Sequence, residues 1–202
     1  MKLLKESFNN SLLLAVLFVI ISFGISAQVI AQKPASELPK GKQTSLGLYV
    51  TSKEAYDMWK KTPDKVYILD VRTPEEYLFV GHAEMASNIS LYFQSFEWDT
   101  EKERFPMAAN PDFIEQVKKV YQTDDLILIT CRSGGRSARA ADQLAEAGFK
   151  NVYSITDGFE GDKVKDEASV FEGQRMVNGW KNSGIPYTYK IDPDLMPFKK
   201  EK

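Results

Sequence analysis

The sequence has one cysteine and one histidine among its 202 residues. Because a single cysteine cannot pair within the chain, no internal disulfide is expected. One cysteine and one histidine also cannot supply the three or four ligands of a typical zinc site, so we expect no bound metal. The formal net charge is only -2, and nucleic acid is therefore not an expected partner. The lone thiol, Cys131, is either a buried, inert side chain or one retained for its chemistry.

The N-terminal segment also lacks charge. Lysines precede an apolar run, and no charged residue occurs between Glu6 and Lys33. This pattern predicts a secretory signal peptide over residues 1–27, with cleavage after Ala27 or as late as Ala31, and hence an exported, periplasmic protein. The alternative is an uncleaved N-terminal helix that anchors the chain in a membrane.

The remaining chain divides by composition into three parts. Residues 28–45 are rich in Pro, Lys, Gly and Ser and are predicted to be a linker. Residues 46–190 have the length of one domain with a full core. Residues 191–202 are predicted to be a C-terminal tail.

Strand-forming and helical segments alternate within residues 46–190. The spacing of Thr51 with Glu54, and of Thr73 with Glu76, predicts two helices that begin with capping boxes, and Asn110 is the expected cap of a third. The predicted strands are LGLYV, KVYILDV, SNISL, LILIT and NVYSI. This alternation predicts an α/β fold of three layers, in which a central parallel sheet is flanked by helices on both faces.

Cys131 follows the strand LILIT and opens the loop CRSGGRS. Gly134 and Gly135 permit positive φ, so successive N–H groups of this loop can turn toward one point and cradle an anion. A helix that begins near Ser137 adds its positive end, and two arginines add full charges. We therefore expect a nucleophilic thiolate at Cys131. The predicted substrate-binding residues are Arg132, Ser133, Gly134, Gly135, Arg136 and Ser137.

Several motifs in order resemble the rhodanese-like sulfurtransferases: LDVRTPEEY, GHAEMASNIS, CRSGGRSARAADQL and the closing DGFEG. The resemblance implies a rhodanese-like fold and an enzyme whose Cys131 becomes a persulfide. A sulfane sulfur would come from a donor such as thiosulfate and pass to a thiol or cyanide acceptor, without a cofactor. Asp70 and Arg72 would support the loop through charge-assisted bonds, and a purely structural ion pair is the alternative.

Two features depart from the family pattern. Met85 stands where the family usually has glycine, and residues 159–179 separate Gly158 from Trp180, which lie close together in the family. A second long segment, residues 92–110, follows the SNISL strand. Loops of this length are often functional, and additional surface is the equally weighted alternative.

Two other functions fit parts of the pattern. The domain could be a persulfide carrier or binding module that serves a dedicated exported protein partner docked on the insertions. It could also be a relative of phosphatases or arsenate reductases, which place an arginine six positions after the cysteine. Here that position is Ser137, and the arginine comes one place earlier.

Overall fold

The computed structural model describes residues 35–197. The predicted signal peptide, its cleavage points and the alternative membrane anchor lie outside these residues. Within residues 35–197, no helix combines the length and the apolar character that a membrane span requires.

The central sheet has five strands in the order β1-β7-β6-β2-β3, and every neighbouring pair is parallel. Its strands are β1 (Tyr49–Val50), β2 (Val66–Asp70), β3 (Ala86–Asn88), β6 (Leu126–Thr130) and β7 (Asn151–Ile155). Strands β4 (Tyr92–Gln94) and β5 (Met107–Ala109) form a separate antiparallel pair. The predicted parallel sheet is therefore confirmed.

Within the described part of the chain, four α-helices accompany the sheet: α1 (Ser52–Lys61), α2 (Pro74–Val80), α3 (Phe113–Val120) and α4 (Gly135–Glu146). Helices α1 and α2 both begin with the expected capping boxes, in which the threonine side chain and the glutamate three residues later exchange hydrogen bonds with backbone N–H groups. Local sequence therefore determines where both helices start.

The expected cap of α3 was wrong. Its N-cap is Asp112, which makes no side-chain capping bond. Asn110 instead accepts from the Asp112 N–H at 3.1 Å and donates to the Ser90 carbonyl at 2.8 Å. Asn110 thus stabilises the turn before α3 without being its N-cap, and its amide also donates to Gln116 Oε1 of α3 at 2.9 Å.

The two faces of the sheet carry two hydrophobic clusters. Alternate strand residues such as Ile127 and Ile129 pack with α3 and α4 on one face, whereas Ile68 and Leu128 pack with α1, α2 and Trp180 on the other. This period-2 division follows from strand geometry. It confirms the predicted arrangement of helices on both faces.

The end of the predicted linker packs against the domain. Leu38 is buried, the Ser45 N–H donates to Asp142 on α4 at 2.7 Å, and Lys42 pairs with Asp162 at 3.1 Å. From Ala35 onward, this polar segment is therefore held by burial and hydrogen bonds that composition does not reveal.

Both long segments form compact insertions. Residues 92–109 contain the β4–β5 hairpin, whose tip holds Trp98 edge-on to Phe105 at 5.1 Å between ring centres. The second insertion leaves the domain at Gly161 and returns at Gly179. The two glycines approach so closely that a Cβ on Gly179 would collide with the Gly161 backbone, so this insertion is closed at its base.

Candidate active site

Cys131 lies at the carboxyl end of β6, in a turn of four residues before α4 begins. Its Sγ accepts a hydrogen bond from the Gly134 N–H at 3.2 Å and lies 3.7 Å from Ser137 Oγ. The residue is only 1% exposed. Helix α4 begins two residues earlier than predicted, which makes the turn shorter. Its first-turn N–H groups have no partner within the helix and form the positive end beside the sulfur.

Gly134 is required by the shape of this turn. Its φ is +98°, and a Cβ at this position would collide with the carbonyl group of Thr156, the residue that directly follows β7. Glycine alone tolerates both the positive φ and the close approach. The glycine therefore directs its N–H toward the sulfur.

A second turn supports the cysteine turn from the side of β7. The Phe159 N–H donates to the Cys131 carbonyl at 2.6 Å, and the Glu160 N–H donates to the Arg132 carbonyl at 2.9 Å. Gly158 has a φ of +63°, and its Cβ, if present, would lie 2.6 Å from the Cys131 carbonyl oxygen. The two turns are thus packed backbone against backbone.

The second insertion does not separate Gly158 from Trp180 in space. The backbone N–H of Trp180 donates to the Gly158 carbonyl at 2.9 Å, and the indole ring of Trp180 is fully buried. The insertion therefore projects from a junction that keeps the closing glycine and tryptophan together.

Asp157 connects the Gly158–Trp180 contact to the start of α1 through hydrogen bonds. Its carboxylate accepts from the Ser52 N–H at 2.8 Å, from Ser52 Oγ at 2.9 Å and from the Gly179 N–H at 3.1 Å. Burial raises the pKa of Asp157 above its ordinary value, against the lowering effect of these donors. The carboxylate links three separate segments behind the cysteine turn.

Asp70 and Arg72 form a fully buried ion pair at the end of β2, with Nη2 and Oδ2 2.7 Å apart. Arg72 also donates to the Gly81 carbonyl at 2.7 Å, and its guanidinium lies 4.1 Å from the centre of the Phe159 ring. Its Nη1 has no hydrogen-bond partner among the described residues. Arg72 therefore contacts the Phe159 ring, and the backbone N–H of Phe159 bonds the Cys131 carbonyl. The hydrogen bonds of the ion pair itself go to residues outside the Cys131 turn.

Arg136 is held by Glu76 of α2. Its two terminal nitrogens each lie 2.6 Å from a Glu76 carboxylate oxygen. Burial raises the pKa of Glu76, but the hydrogen bond and charge of Arg136, with the Thr73 N–H, outweigh burial and leave that pKa below its ordinary value. The guanidinium expected in the anion cradle thus bridges two helices that begin after neighbouring strands.

The other predicted substrate-binding residues are arranged around the same turn. Arg132 is exposed and forms no ion pair within residues 35–197. Ser133 lines a surface cavity of about 810 Å³ beside Lys42. Gly135 begins α4, and Ser137 bonds the Gly134 carbonyl at 2.9 Å. The structure therefore brings the six residues around Cys131.

A family model described as the rhodanese-like domain matches residues 51–165, more than half of the chain. The chain belongs to the rhodanese-like domain family. The predicted family is confirmed.

Relatives of this rhodanese-like domain include proteins with and without a stated activity. An uncharacterised protein of Rickettsia rickettsii is 31% identical over 140 residues, which are 69% of this chain and 96% of that protein. Thiosulfate sulfurtransferase 16, chloroplastic, of Arabidopsis thaliana is 41% identical over 91 residues, which are 45% of this chain and 68% of that protein. The crystal structure of Rv0390 from M. tuberculosis has a TM-score of 0.55 at 24% identity and covers 70% of this chain and 96% of that one. That structure supports the fold.

The single histidine of the rhodanese-like domain has a structural position. His82 is buried, its ring stacks on Tyr77 with centres 3.7 Å apart, and its Nδ1 lies 3.1 Å from the Tyr77 carbonyl oxygen. Burial lowers its pKa below the ordinary value. His82 therefore packs as a neutral ring beside α2 and is not hydrogen-bonded to Cys131.

Three supporting residues of the site were not predicted: Glu76, Asp157 and Phe159. The sequence marks Glu76 only as part of a capping box, because its pairing with Arg136 depends on α2 and α4 beginning at the same edge of the sheet. Asp157 and Phe159 stand in the closing motif DGFEG, which was the available signal for both.

Proposed function

We propose that this rhodanese-like domain is a sulfurtransferase that carries sulfur as a persulfide on Cys131. The observation that carries the proposal is the position of Sγ, which accepts the Gly134 N–H at the positive end of α4. A donor at this position favours negative charge on sulfur.

In the first half-reaction, the Cys131 thiolate attacks the outer, sulfane sulfur of thiosulfate. A new S–S bond forms to Sγ, and the S–S bond of thiosulfate breaks. Sulfite leaves with the electron pair of that bond. The exposed Arg132 cation, next to the nucleophile in the chain, favours the approach of the doubly charged donor.

In the second half-reaction, an acceptor thiolate or cyanide attacks the outer sulfur of the persulfide. The acceptor gains that sulfur, and Cys131 leaves as a thiolate, ready for another cycle. Each step exchanges one bond to sulfur for another, so neither an external oxidant nor a reductant is consumed.

The length of the turn supports sulfur over phosphate chemistry. Only four residues separate β6 from α4, and the Arg136 guanidinium is bonded to Glu76 at 2.6 Å. A phosphoryl group needs a wider cradle and an arginine fork that reaches its oxygens. We therefore expect much slower hydrolysis of small aryl phosphates than sulfur transfer from thiosulfate.

Intact mass spectrometry after exposure to thiosulfate tests the proposal. The parent chain should gain one sulfur atom, and cyanide should remove it as thiocyanate. The Cys131→Ser variant should remain folded by circular dichroism and gain no sulfur, because its hydroxyl stays protonated at neutral pH. Sulfur gain by the serine variant, or none by the folded parent, would refute the assignment.

A further inference from the structure

A cleft opens between the β4–β5 hairpin and the N-terminal turns of α4, directly beside the Cys131 turn. It has a volume of about 460 Å³. The hairpin contributes Arg104, Phe105 and Met107, while the other wall contains Arg132, Arg136 and Arg139. These six residues define the arginine cleft.

The arginine cleft concentrates positive charge in a chain whose formal net charge is -2. Arg136 is neutralised by Glu76 at 2.6 Å. Arg104, Arg132 and Arg139 are exposed, and none forms an ion pair with a carboxylate within residues 35–197. Three guanidinium groups are therefore available to an anionic occupant, and they recognise carboxylates with paired hydrogen bonds.

The hairpin wall also exposes large apolar side chains. Phe96 is 77% exposed, Trp98 52% and Phe105 50%. Such side chains rarely lie together on a free surface. Aromatic residues, methionine and arginine are the residue types enriched in protein interfaces and their energetic centres. The apolar surface extends along the hairpin past the cleft, which favours an occupant larger than a small thiol.

We infer that the arginine cleft docks a protein sulfur acceptor, which presents its cysteine within an acidic segment that also carries an apolar side chain. The inference rests on the proposed function. The occupant's carboxylates pair with Arg104, Arg132 and Arg139, and its apolar side chain packs against the hairpin. Because Arg132 directly follows Cys131, an occupant bound here holds its thiol beside the persulfide.

The transfer step is balanced. The acceptor thiolate forms a bond to the outer sulfur, the S–S bond to Cys131 breaks, and the Cys131 thiolate departs. The acceptor cysteine becomes the persulfide, and docking supplies only proximity and orientation.

The test measures sulfur transfer from the persulfidated full chain to short synthetic cysteine peptides. One peptide is acidic and contains a tryptophan, and a second replaces Glu and Asp by Gln and Asn. The acidic peptide should accept sulfur roughly ten-fold faster at low ionic strength, and added salt should remove most of the difference. Equal rates for the two peptides would overturn the inference.

Charge-reversal variants locate the effect. Arg104→Glu combined with Arg139→Glu should abolish the preference for the acidic peptide. Lys53→Glu combined with Lys61→Glu makes the same change of net charge on α1, whose cluster lies on the opposite face of the sheet from α4, and should retain the preference. Equal losses in both variants would show that only overall charge matters and would refute docking at the cleft.

Glutathione distinguishes a protein acceptor from a small anionic thiol. It should accept sulfur more slowly than the acidic peptide, and Trp98→Ala should slow only the peptide. If glutathione were as fast and as sensitive to Arg104→Glu and Arg139→Glu, the cleft would be a small-thiol site and the protein-docking inference would be wrong.

Binding is also measured without sulfur chemistry. A fluorescent acidic peptide with serine in place of cysteine should bind the Cys131→Ser chain in a salt-dependent manner by anisotropy, and the Gln/Asn peptide should bind at least ten-fold more weakly. Failure of thiosulfate loading would refute the proposed function while leaving this readout intact. Normal loading without peptide binding would refute the docking alone.

Discussion

The ends of β2 and β6 offer a direct comparison, because the two strands are neighbours and Asp70 is in register with Thr130. At the end of β2, the Asp70 and Arg72 side chains are both 0% exposed and bonded to each other. At the end of β6, Arg132 is exposed and unpaired within residues 35–197. Arg136 lies between these two cases, because its side chain is partly buried and forms an ion pair with Glu76.

The difference shows how burial determines what a charged side chain does. Removing a charge from water is costly, so a buried charge persists only with a fixed partner. That partner then occupies the arginine and makes it part of the scaffold. An exposed arginine needs no partner to be tolerated and remains available to an anion.

The buried pair should give the largest change in the free energy of unfolding. Arg72→Met leaves the Asp70 carboxylate buried without its counter-charge and removes the bond to the Gly81 carbonyl. We expect a loss of about 3–5 kcal/mol, measured by urea denaturation.

A double variant, Asp70→Leu with Arg72→Met, separates the buried charge from the lost contacts. It should be more stable than Arg72→Met alone, because no unpaired carboxylate remains. A loss below about 1 kcal/mol in the single variant would mean that water reaches Asp70 and that the pair is not a scaffold element.

The half-buried pair should have a smaller effect that depends on pH. Glu76→Gln should reduce the free energy of unfolding by about 1–2 kcal/mol at neutral pH, because a charge-assisted bond to Arg136 is weakened. The pKa of Glu76 is lowered in the folded chain from its ordinary value of 4.5. The pair's stabilisation is therefore complete above that value and is lost as the pH falls through the lowered folded pKa.

Urea denaturation of parent and Glu76→Gln at several pH values checks this sign. The difference between them should be constant from neutral pH down to the ordinary glutamate pKa and should shrink below it. Glu75→Gln, in the same helical turn without an ion pair among the described residues, is the matched control and should show little pH-dependent difference. A gap that widened on acidification would contradict the assignment.

The sequence predicts more of the backbone than of the charge pairing. The capping boxes at Thr51 and Thr73, the strand LILIT and the turn at Cys131 are encoded locally, and the structure has each of them. Pairing depends on contacts distant in sequence. Glu76 and Arg136 are separated by 60 positions, and only the parallel arrangement of β2 and β6 brings their helices together.

The same limit explains the second insertion. Its length suggests that Gly158 and Trp180 lie apart in space, whereas the backbone N–H of Trp180 donates to the Gly158 carbonyl at 2.9 Å. The closure depends on Gly161 and Gly179, whose backbones touch. Glycine is compatible with such an approach in any sequence, but its position along the chain does not identify which two glycines meet.

The exposed arginine should have the smallest effect on stability and a larger one on chemistry. Arg132→Ala should change the free energy of unfolding by less than about 0.5 kcal/mol, as is usual for surface substitutions. The rate at which thiosulfate loads Cys131 should nevertheless fall. One unit charge about 4 Å from another contributes about 1 kcal/mol in water, which corresponds to roughly a five-fold change in rate.

Lys53→Ala removes one exposed charge from α1 and should leave loading almost unchanged. Loading kinetics followed by intact mass at two salt concentrations separate the outcomes: a defect that disappears at high salt supports electrostatic recruitment of the donor by Arg132, and equal loading of Arg132→Ala and parent at low salt would remove Arg132 from the substrate-binding set.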